Sequence, residues 1–299
     1  MQFQQLNDVQ QFYTFMNYSI NLNGKLVDLS TPLVMGILNV TPDSFYAQSR
    51  MQTEETILSR VEQIIDEGGS IIDIGGYSSR PDAEHISEDE EMNRLAKALT
   101  IILKHFPEII ISVDTFRSNV AKKCVKEFEV AIINDISGGE MDKKMFETVA
   151  QLQVPYILMH MKGTPKTMTQ QTNYASFIQD IFFYLSEKMN QLHLLGVNDI
   201  IIDPGFGFSK DMNQNYQLMK YLPDFCIFNH PLLVGISRKS MIYKFLNCTP
   251  EDSLNGTSVL NTIALMSGAH ILRVHDVKAA VEAVKIIEKI QCSSENLFH

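Results

Sequence analysis

Eight short apolar runs, rich in Ile, Val and Leu, alternate along this chain with segments of helical length, and that rhythm constrains the fold more than any other feature. The runs are Leu33–Leu38, Ile71–Ile74, Ile109–Val113, Val130–Ile133, Tyr156–Met159, Ile200–Ile202, Leu232–Ile236 and Ile271–Leu272. Amphipathic segments lie between and after them at Glu54–Glu67, Glu88–His105, Ser118–Phe128, Tyr174–Leu195, Asn213–Tyr221, Ser253–Ser267 and Val277–Ile290. A strand that is apolar throughout, rather than at alternate positions, is buried on both faces, and this happens in a parallel sheet covered by helices. Eight such strands predict an α/β chain closed as a (β/α)8 TIM barrel. The competing doubly wound open sheet usually carries a Gly-rich fingerprint near its start, and no GxGxxG follows the first run here. Ahead of the barrel, Ile20–Ser30 has two alternating runs around Asn23-Gly24, which predicts a tight β-hairpin. No linker or shift in composition interrupts the rest. The expected organisation is therefore an N-terminal extension over residues 1–16 and one barrel domain over 17–299.

Composition narrows the partners. The net charge is −10, so nucleic acid and anionic membrane are disfavoured, and an anionic ligand needs a locally basic site. Four cysteines, Cys124, Cys226, Cys248 and Cys292, form no CxxC, and the eight histidines include no HExxH. Neither a disulfide framework nor a zinc cage is expected, and a reducing, cytoplasmic setting fits. No apolar run approaches the ~18 residues of a membrane span, and the N-terminus lacks the features of a signal peptide.

Function is written at the strand ends. The polar residues at or just after the eight runs are Asn39, Asp73, Asp114, Asn134, His160, Asp203, Ser237 and then Arg273 with His275. One such residue is an ordinary turn or helix cap. A ring of them at the C-terminal mouth of a barrel is where an active site sits. Asn134 offers both a donor and an acceptor to a heterocycle edge. Asp203 with Phe206 and Phe208 suits a flat ring that needs hydrogen bonds and stacking. Asp114 is either a cap for the helix starting near Ser118 or a carboxylate facing a ring N–H. Ser237, Arg238, Lys239, Arg273 and His275 gather cations near strands seven and eight, where barrels often bind phosphate. Met159, His160 and Met161 read either as core or as pocket wall. The stretch "MGILNVTPDSFYAQSR" leaves its strand at Asn39, and Thr41 to Arg50 reads as a lid.

The motifs "MGILNVTPDSF", "SSRP" after "DIGG", "SVDT", "NDISGG", "MHMKGTPKTM", "IIDPGFGFSK", "VGISRKSMI" and "RVHDV" resemble, in order, those of the dihydropteroate synthases of folate biosynthesis. The resemblance implies a TIM barrel, commonly a homodimer. Its activity is the joining of p-aminobenzoate to 6-hydroxymethyl-7,8-dihydropterin pyrophosphate, with pyrophosphate leaving first. It implies that Asp114, Asn134, Met159, Asp203, Phe208 and Lys239 hold the pterin. Asn39, Arg273 and His275 take the pyrophosphate, with Mg²⁺ on Asn39. Phe45, Ser79, Arg80, Pro81 and Ser237 form the p-aminobenzoate site, and Asp114, Lys239 and Arg80 act in catalysis. The family is a sulfonamide target. A related pterin-binding barrel, a corrinoid methyltransferase, would share Asp114, Asn134 and Asp203 without needing the Arg273/His275 grip. A non-catalytic pterin-binding paralogue would keep the ring pocket alone. Two departures stand out: Tyr77 and Ser79 where the family pattern has Glu and Thr, and "YAQSR" where it often has paired glycines.

Overall fold

A computed structural model of the chain describes residues 18–41, 53–80, 82 and 84–293. The expected extension over 1–16, the lid beyond Thr41 with its Phe45, and Pro81 lie outside the described residues.

The hairpin forms as expected. Strands β1 (Ser19–Leu22) and β2 (Lys25–Asp28) pair antiparallel. Asn23 and Gly24 both take positive φ, 50° and 82°, which a two-residue turn of this hand requires. Eight parallel strands follow: β3 (Leu33–Asn39), β4 (Ile71–Gly75), β5 (Ile110–Asp114), β6 (Ile132–Asp135), β7 (Tyr156–Met159), β8 (Ile200–Asp203), β9 (Leu233–Val234) and β10 (Ile271–Val274). Their spatial order is β8-β7-β6-β5-β4-β3-β10-β9. A parallel bridge between Ile202 and Leu232 brings the first and last of these together, so the sheet curls into a barrel. The helices flank it. Glu88–His105 and Ser118–Phe128 match the sequence reading residue for residue. Others, such as Phe177–Leu194, begin or end within a few residues of it.

Two differences from expectation concern short elements. The seventh strand is two residues rather than the five of Leu232–Ile236. A helix at Met145–Leu152 was not expected from the sequence; its N-cap, Lys144, makes no side-chain cap hydrogen bond. The usual Ser/Thr/Asp/Asn start signal is therefore missing there.

The two faces of the strands divide the core. Residues facing the helices form the larger apolar cluster, including Val34, Ile72, Val113, Leu158 and Leu272. Facing inward near the strand starts are Met35, Ile71, Ile132, Ile157, Ile201, Leu233 and Ile271, and the hairpin residues Ile20, Leu22 and Leu29 pack with them. The hairpin thus plugs the N-terminal mouth. Strand side chains alternate, so two residues further along the inward positions are Ile37, Asp73, Asn134, Met159, Asp203, Gly235 and Arg273. The inner face changes from apolar to polar within one step, which places charge at the C-terminal mouth.

Candidate active site

A cavity of about 190 Å³ opens at that mouth. Asn39, Asp114, Phe208, Ser237, Lys239, Arg273 and His275 line it, with Ser79 from the loop after β4. Tyr77, Met168 and Tyr243 complete part of the wall and were not singled out as ligand residues from sequence. Asn134, Met159 and Asp203 are not among the lining residues and are buried. Met159 belongs to a small apolar cluster with Ile136, Met161 and Met168, against which Phe208 packs. Arg80 is not among the lining residues; its guanidinium bonds Asp82 at 3.2 Å.

The centre of the polar floor is Asp73, a strand-end residue not assigned a ligand role from sequence. It is fully buried. One oxygen accepts from Ser112 Oγ at 2.6 Å, and the other accepts from Asn134 Nδ2 at 3.1 Å and Arg273 Nε at 2.6 Å. Arg273 Nη2 donates to Asp114 Oδ2 at 2.9 Å. The guanidinium therefore bridges two carboxylates, each through a charge-assisted bond. The sequence signal for this was strand register: Asp73 pairs beside Ile37 on one side and Ser112 on the other.

These contacts set the charge states. Burial pushes the Asp114 carboxyl up to about 7, with Arg273 opposing and Asp73 adding to the rise. Burial also raises Asp203, against the pull of Lys239 and the Gly205 N–H that donates to it at 2.8 Å. Lys239 is lowered to about 8 by burial, with Asp203 opposing. Burial lowers His275 to about 3, and Arg273, Arg60, Arg238 and Lys239 push the same way. At neutral pH His275 is an uncharged hydrogen-bonding ring, not the cation it was counted as from sequence.

Local geometry explains how these groups reach the cavity. Asp114 is not a helix cap: the N-cap of the helix Ser118–Phe128 is Arg117, and the Ser118 N–H donates to Asp142. Arg238 takes φ +53°, an uncommon conformation for a non-glycine residue. Its side chain chelates Asp276 through Nε and Nη2, both at 2.8 Å, and Nη1 reaches the Pro250 carbonyl at 2.6 Å. Arg238 thus anchors the turn that presents Ser237 and Lys239. Ser237 Oγ accepts from the His275 N–H at 3.1 Å. Arg60 donates to the carbonyls of Ile37 (3.4 Å) and His275 (2.6 Å), tying together the ends of β3 and β10. Lys239 Nζ donates to the Phe206 carbonyl and stands 4.7 Å from the Phe208 ring centroid. Tyr77, in the family's Glu position, packs edge-on to Phe116 at 5.1 Å, with the Arg117 guanidinium 5.5 Å from its ring.

Among the described residues no cluster of three or more His, Cys, Asp or Glu could hold a metal. The Asn39 amide oxygen is a hard donor on the cavity wall. It suits a Mg²⁺ whose remaining ligands come from phosphate and water.

The arrangement joins a carboxylate-and-amide floor to a flank of lysine, guanidinium and imidazole. It can bind a flat polar ring below an anionic group. Residues 35–275 match the family profile described as "Pterin binding enzyme". The dihydropteroate synthase of Escherichia coli (strain K12) is 41% identical over 278 residues, covering 91% of this chain and 96% of the relative. The Yersinia pestis dihydropteroate synthase, solved with a sulfonamide drug complex, superposes with a TM-score of 0.87 at 37% identity, covering 92% of this chain and all of the other. The Coxiella burnetii dihydropteroate synthase, solved with pteroic acid, gives 0.83 at 35% identity over 92% of this chain and 99% of the other.

Proposed function

The chain belongs to the dihydropteroate synthase family of pterin-binding enzymes, and from that premise we propose how its mouth residues share out the reaction. The reaction condenses 6-hydroxymethyl-7,8-dihydropterin pyrophosphate with p-aminobenzoate, yielding 7,8-dihydropteroate and pyrophosphate. The observation that carries the reading is one cavity lined together by Asn39, Asp114, Lys239, Arg273 and His275.

Asn134, Asp203 and Asp114 bind the polar edge of the pterin, and Phe208 and Met159 wall its faces. Asn134 gives one amide hydrogen to Asp73, which fixes the amide plane. Asn39, Arg273 and the neutral His275 ring hold the pyrophosphate, by charge from Arg273 and by hydrogen bonding from the others. Asn39 would hold Mg²⁺ beside the pyrophosphate, where the ion would supply charge neutralisation to the leaving group. The methylene C–O bond breaks with its electron pair going to pyrophosphate. The ring shares the resulting positive charge, and ionised Asp114 stabilises it. The arylamine nitrogen then forms the new C–N bond and loses a proton to solvent. Ser79 and Ser237, both on the cavity wall, border the arylamine site, with Arg80 next to Ser79 in the chain, and sulfonamides compete there. A corrinoid methyltransferase would not need the Arg273, His275 and Asn39 flank that stands in this cavity.

The decisive assay is pyrophosphate release by purified protein. Release should need pterin pyrophosphate, p-aminobenzoate and Mg²⁺ together, and a sulfonamide should suppress it competitively. Pterin binding with no release, or release that ignores the arylamine, would refute the activity.

A homodimer is also proposed. It is supported by apolar side chains left exposed on two helices that pack on one another: Val259, Ile263 and Met266 on Leu254–Met266, and Ile286 and Ile290 on Val277–Ser293. No described helix is long and apolar enough to cross a membrane. The four cysteines are unpaired, which supports a reducing, cytoplasmic location that cell fractionation would check.

A further inference from the structure

Lys210 carries a buried side-chain nitrogen for which the reaction above has no use; burial pushes its pKa well below the usual lysine range, with Asp203 opposing and Lys239 adding to the fall. It lies within hydrogen-bond reach of four acceptors: the carbonyls of Gly205 and Phe208, both at 2.9 Å, His160 Nδ1 at 3.0 Å and the His160 carbonyl at 3.4 Å. Among the described residues no carboxylate hydrogen-bonds to it. Burying a lysine head group costs several kcal/mol unless hydrogen bonds compensate, and here the carbonyls of one loop supply two of them.

That loop is the one after β8. It carries Asp203 at one end and Phe208, on the cavity wall, near the other. Its carbonyls divide between two lysines: Gly205 and Phe208 accept from Lys210 on the core side, and Phe206 accepts from Lys239 on the cavity side. Gly205, at φ +74°, is obligatory here, because a Cβ would stand 2.1 Å from the His160 carbonyl. Ser209, at φ +47°, is held by Tyr174, whose hydroxyl donates to the Ser209 carbonyl at 2.9 Å. His160 is held in turn by Tyr184, edge-on at 4.9 Å.

We propose that Lys210 is a positioning residue for the ring pocket, its Nζ hydrogen bonds drawing the 205–208 backbone around itself so that Asp203, Phe208 and Lys239 meet the pterin together, with the His160 ring as its Nδ1 acceptor. This assigns the histidine that the sequence left between core and pocket wall. A lysine donating to Nδ1 requires His160 to carry its proton on Nε2. The downward push on His160 from burial and then from Lys210 agrees with an uncharged ring.

The inference rests on the ring-binding role proposed above, and wild-type turnover tests that role separately. Lys210→Met keeps an unbranched side chain, one atom shorter, and removes the donor nitrogen. The pterin Kd by calorimetry and the KM for pterin pyrophosphate should rise about ten-fold or more, while the KM for p-aminobenzoate changes less than about two-fold. An unchanged pterin Kd, or equal losses for both substrates, would overturn the proposal. Wild-type protein labelled with ¹⁵N-histidine provides a second measurement should the variant not fold. His160 Nδ1 should appear unprotonated and shift on adding the pterin but not on adding p-aminobenzoate alone. A protonated Nδ1, or a resonance indifferent to the pterin, overturns it equally.

Discussion

Replacing Asp73 with Asn is the most informative single perturbation of the site, because Asp73 sits in the floor and not on the cavity wall. The side chain keeps its shape, one acceptor and the capacity to bond Ser112, whose hydroxyl turns to suit. It loses the charge that holds Arg273 Nε at 2.6 Å: with its NH₂ turned to the Ser112 hydroxyl, only an uncharged oxygen is left for the two donors, Arg273 Nε and Asn134 Nδ2, that share one carboxylate oxygen in the wild type. Breaking a buried pair by removing one partner costs about 3–5 kcal/mol. Arg273 keeps Asp114 at 2.9 Å, so the low end, about 3 kcal/mol, is expected. The chain has no Trp, so urea unfolding is best followed by far-UV circular dichroism. Asn134 is then held by a weaker, shared acceptor, and pterin affinity should fall about ten-fold. The pH profile gives a second, signed readout. Asp114 is raised to about 7 and Lys239 lowered to about 8. If turnover needs ionised Asp114 and protonated Lys239, kcat/KM in the wild type rises through an acid limb near the first value and falls through an alkaline limb near the second. These limbs belong to the coupled cluster as a unit. Asp73 is one of the charges that raise Asp114, so its removal should move the acid limb to lower pH. Stability within about 0.5 kcal/mol of wild type, or an acid limb that stays in place or moves up, would refute the view that Asp73 organises the floor.

Three further outcomes follow from separate parts of the molecule. Leu29→Ala should cost about 2–5 kcal/mol in urea unfolding, since Leu29 is fully buried in the plug of the N-terminal mouth; both KM values should be unchanged, and a shifted KM would contradict the separation of plug and site. Ile263→Glu should convert a dimer to a monomer in sedimentation, and an unaltered mass would remove the exposed helical face from the interface. Phe208→Ala should raise the pterin Kd about ten-fold through lost stacking while sparing the arylamine KM; equal binding in calorimetry would take Phe208 out of the ring wall.

The sequence carried the barrel because a strand buried on both faces leaves an unbroken apolar run, and seven of the eight runs became strands of four or more residues. It carried much of the site for a related reason. Inward positions recur every second residue, so a polar side chain at the end of an apolar run points into the mouth, as Asn39, Asp114 and Arg273 do. What it could not carry was the division of labour among those groups. Arg238 and Arg273 are equivalent on charge alone, yet one is spent on Asp276 and the Pro250 carbonyl and the other faces the cavity. The choice is made by a positive φ at Arg238 that no glycine advertises. Asp73 shows the same limit from the other side. Its partners Ser112, Asn134 and Arg273 are 39, 61 and 200 residues away in the chain, and only strand register brings them together. His275 looked cationic because a histidine's charge depends on its burial and on the four cations around it. The residue types at this mouth are thus set locally, and their charge states and partners are set by the closure of the barrel. Substitutions at Asp73 and Lys210 therefore test the reading more sharply than substitutions at the groups that touch substrate.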